Sequence, residues 1–242
     1  MKYSNLIFAA MLVMGLTARA GIYYQGSVSV GGTQKGPLQN STILDGNVGG
    51  MWNTMDLTGV GLGSSLTDIK VTLNLTSGGY NSDLYAYLSY GGVLVPLLNR
   101  IGLSSTHGFG APGQGLNNVT LSDAGSANIH TYVAGGSTLS GTYKPDGQTT
   151  SPLSSASSFA ADGGSITLDA VGTGFGTMNP NGRWTLFFAD VVAGGGNSSL
   201  SGWSLDITAV PEPVNMALGL FGVLFAGAIA VRRWLTRKAV SP

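Results

Sequence analysis

The stretch Ile69-Lys70-Val71-Thr72-Leu73-Asn74-Leu75 alternates apolar and polar side chains without a break. A period of two puts one set on a buried face and the other toward water, which is the pattern of a half-buried β-strand. Leu84-Tyr85-Ala86-Tyr87-Leu88-Ser89-Tyr90 repeats it, with Leu84, Ala86, Leu88 and Tyr90 on one face and Tyr85, Tyr87 and Ser89 on the other. Working outward from these two, further strands are expected at 22–30, 93–98, 119–121, 129–133, 166–171, 183–190 and 203–209. Pro96 assigns its strand to an edge or a bulge, since it cannot donate to a ladder. Gly78-Gly79, Gly91-Gly92, Pro145-Asp146-Gly147 and Pro180-Asn181-Gly182 separate the strands as turns. The 39 glycines therefore punctuate strands and do not mark disorder. With no internal repeat and no amphipathic helix, the expected fold class is all-β, a sandwich of eight or nine short strands.

The formal net charge of zero conceals three regions. All ten aspartates fall within 21–209, against Lys35, Lys70, Arg100, Lys144 and Arg183, so this body carries about −5. Without a Lys or Arg cluster it has no means of neutralising phosphates, and nucleic acid is excluded as a partner. With no cysteine, disulfides, thiolate metal sites and Cys nucleophiles are excluded together. Some 190 residues suffice for one domain held by packing alone.

Both ends read as targeting segments. Residues 1–20 carry Lys2, an apolar run from Leu6 to Leu16 and Ala18-Arg19-Ala20, the features of a secretory signal peptide that engages the translocon, with Gly21 as the first mature residue. At the other end Val210-Pro211-Glu212-Pro213 precedes an apolar run over 214–231, broken only by Asn215, and then Arg232, Arg233, Arg237 and Lys238. Eighteen residues at about 1.5 Å each make a helix of roughly 27 Å, near the thickness of a bilayer's hydrocarbon. The cations beyond it hold the C-terminus in the cytoplasm, which leaves 21–209 outside. In this order, Pro211, Glu212 and Pro213, the helix and the basic tail resemble the PEP-CTERM sorting signal. The resemblance implies processing by an exosortase, an inner-membrane-anchored precursor, and a final place at the surface or in the matrix of an exopolysaccharide-producing Gram-negative bacterium. The V-P-E-P segment is expected to lie extended and exposed as a hinge between the body and the span.

The body resembles a second family from about residue 69 onward. Asn81-Ser82-Asp83-Leu84-Tyr85-Ala86-Tyr87-Leu88 with Val93 to Leu98, Leu121-Ser122-Asp123-Ala124-Gly125, Gly141-Thr142-Tyr143-Lys144-Pro145 with Leu153-Ser154 and Phe159, Gly182-Arg183-Trp184-Thr185-Leu186 through Asp190, and Leu200-Ser201-Gly202-Trp203-Ser204-Leu205-Asp206-Ile207 are similar to segments of the proprotein convertase P domain. That resemblance implies a jelly-roll. It departs at Tyr90, where the family has Pro, and around 163–178. Trp184 and Trp203, each opening a strand, are expected to form a hairpin whose indoles anchor the core. Residues 21–68 add one or two strands.

Candidate chemistry is sparse. His107 and His130 stand in no ligand spacing and beside no nucleophile motif; His130 is expected in a strand and His107 in a loop. With no Glu in the body, paired acids for glycoside hydrolysis find no support. Gly59, Gly61 and Gly63 lack the strand-turn-helix of a phosphate site, and Asn40, Asn74, Asn118 and Asn197 are ordinary polar positions despite their sequons. Tyr85 and Tyr87 are candidates for ligand contact, against cross-strand packing. No cofactor is expected. Ca²⁺ is the one metal suited to turn aspartates, with Asp83, Asp123 and Asp190 as candidate ligands, but no Asp-x-Asp-x-Asp loop accompanies them and a chelator is expected to leave stability unchanged. The functional expectation is a non-catalytic exported protein that binds or organises extracellular polymer or protein. The alternative is an accessory domain to a secreted hydrolase, or a weak form of one.

Overall fold

The computed structural model describes residues 28–29, 41–58, 64–133, 137–211, 219–230 and 232. Ten strands run in chain order: β1 (Val28–Ser29), β2 (Thr42–Ile43), β3 (Met51–Leu57), β4 (Ser64–Tyr80), β5 (Leu84–Tyr90), β6 (Val93–Asn99), β7 (Gln114–Leu121), β8 (Leu139–Tyr143), β9 (Gly182–Asp190) and β10 (Ser198–Pro211). They form two sheets. One has the order β1-β10-β4-β7-β8, with β2 also on β10, and the other β3-β9-β5-β6. All pairings are antiparallel except β7 with β8. The two inner faces supply one continuous core, so the chain is an all-β sandwich.

Alternation decides which residues enter that core. In β4, Ile69, Val71 and Leu73 are fully buried, and Leu84, Ala86 and Leu88 of β5 face them from the other sheet. Strand β9 sends Trp184, Leu186 and Phe188 inward, and β10 sends Leu200, Trp203, Leu205 and Ile207. Trp184 stacks on Tyr90 at 4.2 Å, meets Phe175 edge-on at 4.9 Å and donates Nε1–H to the carbonyl of Pro180 at 3.0 Å. Trp203 donates to Oδ1 of Asn53 at 2.8 Å across the sandwich. Burying an indole is favourable only with its N–H satisfied, and both are. Pro96 lies in β6, an edge strand, where the register with β5 shifts between Ala86 and Tyr87.

Residues 21–68 hold three strands, β1 to β3, and the start of β4 where one or two were expected, and the described residues form ten strands where eight or nine were expected. Three further sequence expectations are corrected. Strands β9 and β10 do not form a hairpin, because β9 pairs with β3 and β5 on its two edges while β10 pairs with β4 and β1; the turn between them crosses from one sheet to the other. Residues 129–133 are not a strand. Asn128 Oδ1 accepts the His130 amide at 2.8 Å and caps a 3-10 turn, Ile129–Thr131, in the way Asn side chains divert backbone from ladders. Residues 166–171 are not a strand either: Asp123 accepts the amides of Leu168 and Asp169 at 2.9 and 2.8 Å in place of a ladder partner. The chain then doubles back with Leu168 and Phe175 buried.

Of the two segments expected to direct export, 1–20 lies wholly outside the described residues and 210–242 only partly within them. Of the strand expected at 22–30, only the two residues of β1 are described. Val210 and Pro211 continue β10, opposite Ser65 and Ser64 of β4, so the first half of the expected hinge is extended but paired to the sheet. Pro is tolerated there because it closes the strand. Residues 219–230 form a helix, α1, exposed throughout. Among the described residues no helix is long and apolar enough to cross a membrane, and the span expected at 214–231 falls only partly within them. Glu212, Pro213, Arg233, Arg237 and Lys238 lie outside the described residues, and Arg232 is helical and exposed.

Candidate functional site

The outer face of the four-stranded sheet carries aromatics in register. Trp52 of β3 lies opposite Phe187 of β9, Phe187 opposite Tyr87 of β5, and Tyr87 opposite Pro96 of β6. One row thus crosses all four strands. Tyr87 and Phe187 stack at 4.7 Å with planes 14° apart, and Tyr85 leans on both at 6.0 and 6.4 Å. Gly50 makes room for the Phe187 ring: a Cβ there would fall 2.5 Å from its tip, and the positive φ of 58° also requires glycine. Trp52 is 59% exposed, so more than half of a large apolar side chain faces water.

A parallel row of Thr54, Thr185, Ser89 and Leu94 runs beside the aromatics, and beyond it Asp56 pairs with Arg183 at 3.0 Å. The hydroxyls offer donors and acceptors, and the ion pair cancels the charge of the next row. At the far side the face is walled. Asp146 and Gly147 donate their amides to Leu97 and Pro96 of β6, covering the free edge of that strand. The open surface is therefore aromatic, hydroxyl-flanked and neutral.

Tyr85 and Tyr87 belong to this row as members of a stack, each half-buried. Trp52, its most exposed ring, was not among the residues singled out from sequence. The signal that finds it is register: it needs β3 placed beside β9.

The aspartates singled out as candidate metal ligands separate into two groups. Asp83 and Asp190 share one end of the sandwich, where burial and the Asp190 charge push Asp83 up to about 6. Burial likewise raises Asp190, with the amides of Val192 and Gly46 opposing it. Asp123 belongs elsewhere, bound to the 168–169 amides and beside Asp169, whose carboxyl is pushed up to about 7 by burial and by the charges of Asp123 and Asp68. A cleft of about 550 Å³ opens over Asp83, lined also by Tyr80, Arg100, Phe109 and Gly194.

His130 is the other titratable group in the interior. Its Nδ1 meets Asp146 Oδ2 at 2.7 Å and its Nε2 meets the carbonyl of Leu103 at 2.8 Å, with both side chains fully buried. A carbonyl and a carboxylate only accept, so both ring nitrogens are placed to donate and the arrangement favours the doubly protonated ring. Burial opposes that charge, but the bond and charge of Asp146 outweigh it and raise the pKa. Asp146 also accepts from the Asn99 amide and from Gln148 Nε2, each at 3.1 Å. This pair clamps the 129–131 turn to the 146–148 turn, and the Asn99 amide ties the end of β6 to the same carboxylate. His107, in an exposed turn, bonds only near neighbours.

No protein-family model matches this chain, and no curated protein matches it significantly.

Proposed function

We propose that this chain is an exported, non-catalytic β-sandwich that binds a neutral extracellular polymer, of the exopolysaccharide type, across the outer face of its four-stranded sheet. One observation carries the reading: the row Trp52, Phe187 and Tyr87, open to water and uncharged, beside a row of hydroxyls. Adjacent strands lie about 4.8 Å apart, so successive rings repeat on a scale that suits successive units of a flat polymer. Sugar rings have apolar faces that stack on aromatics and hydroxyl edges that bond to Thr and Ser. An anionic polymer finds no cation here, since Arg183 is already paired with Asp56.

Export supports the same reading. The signal peptide at 1–20 and the resemblance of Pro211-Glu212-Pro213, the 214–231 run and Arg232 to Lys238 to the PEP-CTERM signal favour an inner-membrane precursor. An exosortase then delivers it to the surface or matrix, where polymer is abundant. The P-domain resemblance favours a jelly-roll connectivity and a role without catalysis. A glycan array probed with the full chain in detergent micelles tests the function. Retention on neutral glucans, mannans or related chains supports it, and a blank array with binding to protein preparations instead sinks it. Sorting is tested separately by the mass of cell-associated and released forms: a released form that still contains 214–231 contradicts exosortase processing.

A further inference from the structure

The cleft over Asp83 is lined by two aromatic rings that folding leaves in water. Phe109 is 94% exposed, the most open aromatic side chain among the described residues, and Tyr80 is 40% exposed. Two open rings on one cleft make a patch, unlike single apolar residues scattered over a surface. Phe109 also sits on a pinned turn. Gly110 donates to the carbonyl of His107 at 3.0 Å and Ala111 to that of Ile101 at 2.8 Å. At Gly110 φ is 66°, and a Cβ would fall 2.7 Å from both the Ile101 carbonyl oxygen and Ser82 Cβ, so glycine seats the turn this closely. The opposite wall is fixed too, since Asp45 accepts the Gly194 amide at 2.9 Å and the backbone carbonyl of Asp83 accepts the Val191 amide at 2.9 Å.

Between these walls the cleft carries opposite charges that do not meet. Asp83 is only 7% exposed, and among the described residues its carboxylate bonds to the Ser82 hydroxyl alone, at 3.3 Å. Arg100 donates through Nε to the Ser82 carbonyl at 3.2 Å and makes no other side-chain hydrogen bond among the described residues. The two charges act on each other, yet they form no ion pair. Arg100 sits at φ 56°, in the left-handed region that a residue with a Cβ seldom occupies, and its amide donates to the Leu84 carbonyl at 2.9 Å. Such backbone persists where the surroundings enforce it, often around ligands. An acceptor and a planar donor thus line one aromatic-rimmed cleft, both short of partners.

We propose that this cleft binds a neutral pyranose through a vicinal diol, with one hydroxyl donating to the Asp83 carboxylate, the diol oxygens accepting from the terminal N–H groups of Arg100, and the apolar face of the sugar on Phe109. Its volume of about 550 Å³ is that of a small-molecule site, and a few convergent polar groups among apolar walls are what fixes a ligand there. Charge selects against the alternatives. The charges of Asp190 and Asp45 also bear on Asp83, so an anion seeking Arg100 meets three carboxylates. A cation could use Asp83 but would be repelled by the guanidinium and leave its donors unmet. A diol supplies the donor that Asp83 lacks and the acceptors that Arg100 lacks, with no charge of its own. The site shares no residue with the aromatic row on the sheet face and stands without it. The pyranose is either a free sugar or the terminal unit of a polymer chain, which present the same diol.

The test titrates the full chain, in micelles of a sugar-free polyoxyethylene detergent, with the methyl glycosides of glucose, galactose, mannose and fucose, followed by saturation-transfer NMR. At least one should bind with a Kd on the order of 1 mM, the scale for a ligand of about a dozen non-hydrogen atoms. Its permethylated form keeps every oxygen but has no O–H to donate, and should give no signal. Asp83→Asn keeps the shape and removes the charge, so it should weaken binding about tenfold, as loss of a charge-assisted bond does. Phe109→Ala removes a ring that the fold leaves in water, so it tests the cleft even if Asp83→Asn fails to fold; it should weaken binding about fivefold. The matching trisaccharide separates the two sources: binding at least as tight as the glycoside assigns the end of a chain, and exclusion assigns a free sugar. The proposal is overturned if none of the glycosides binds, if affinity is undiminished in either variant, or if free phenylalanine or methyl glucosaminide binds more tightly than every neutral glycoside. Polymer retention enters none of these readouts, so the cleft can fail while the sheet face holds, and the reverse.

Discussion

Phe187 and Phe188 are neighbours in β9 with the same side chain and opposite fates. Phe188 is fully buried in the core with Trp184, Leu186 and Trp203, whereas Phe187 lies on the outer face between Trp52 and Tyr87 and stays half open to water. The inner ring removes apolar area from solvent on all sides, the largest favourable term in folding. The outer ring leaves part of that gain unrealised. An aromatic row of this size on a surface is informative because folding does not require it. Inner aromatics should govern stability and outer aromatics binding, and variants on either face can break that division.

The largest expected effect is on the inner side. Phe188→Ala or Trp203→Ala should cost about 3–5 kcal/mol, the usual range for a large buried aromatic, measured by denaturant unfolding. A loss under about 1 kcal/mol at either would erase the contrast between the faces. The interior's ion pair should behave alike: Asp146→Ala strands a buried imidazolium and should cost about 3–5 kcal/mol. Its pH dependence has a definite sign. The His130 pKa is raised in the fold, so its contribution is complete below the unfolded value of about 6.5 and fades as pH climbs through the folded value. Asp169 acts in the same direction over a lower window. Its folded value of about 7 against an ordinary 3.8 means that stability falls between about pH 4 and 7 as the carboxyl ionises. Asp169→Asn should lessen that slope, leaving the part due to Asp83 and Asp190, while still accepting the Ile69 amide. An unchanged slope in the variant would show that the half-buried carboxyl is better solvated than its surroundings imply.

How much of this division could be read in the sequence follows from how cleanly each strand alternates. The central parts of β4 and β5 alternate cleanly, and they form where the pattern places them. Strand β3 is hidden because Asn53 sits at an inward position, where it is 2% exposed and accepts the Trp203 N–H. A polar residue serving an indole across the core breaks the apolar period, and Trp52 is lost with it. At 166–171 an apolar alternation misleads, since Asp123 supplies the hydrogen bonds a neighbouring strand would have given. His130 reads as a strand residue because its partner Asp146 is sixteen positions away. That Asp83 and Asp190 come close enough for one charge to raise the other's pKa depends on how the strands close and leaves no local trace. Nor did the two Trp segments reveal that β9 and β10 lie in different sheets, since a Gly-rich turn serves a hairpin and a crossover equally well.

Smaller effects belong to the outer face. Tyr87→Ala should cost about 0.5–1.5 kcal/mol, what a stacked aromatic pair contributes beyond its area. A cost near that of Phe188→Ala would mean that the outer stack is structural. Trp52→Ala should change stability by no more than about 0.5 kcal/mol, as expected of an exposed side chain away from caps and networks.

The central claim is that this exposed row exists to hold polymer, and affinity electrophoresis tests it directly. Full-chain wild type and Trp52→Ala, both in micelles, are run through gels containing the neutral polysaccharide that the array selects. The account predicts that the wild type is retarded in proportion to polymer concentration and that Trp52→Ala, folded and equally stable, runs at least tenfold less retarded. Equal retardation of the two proteins would contradict it.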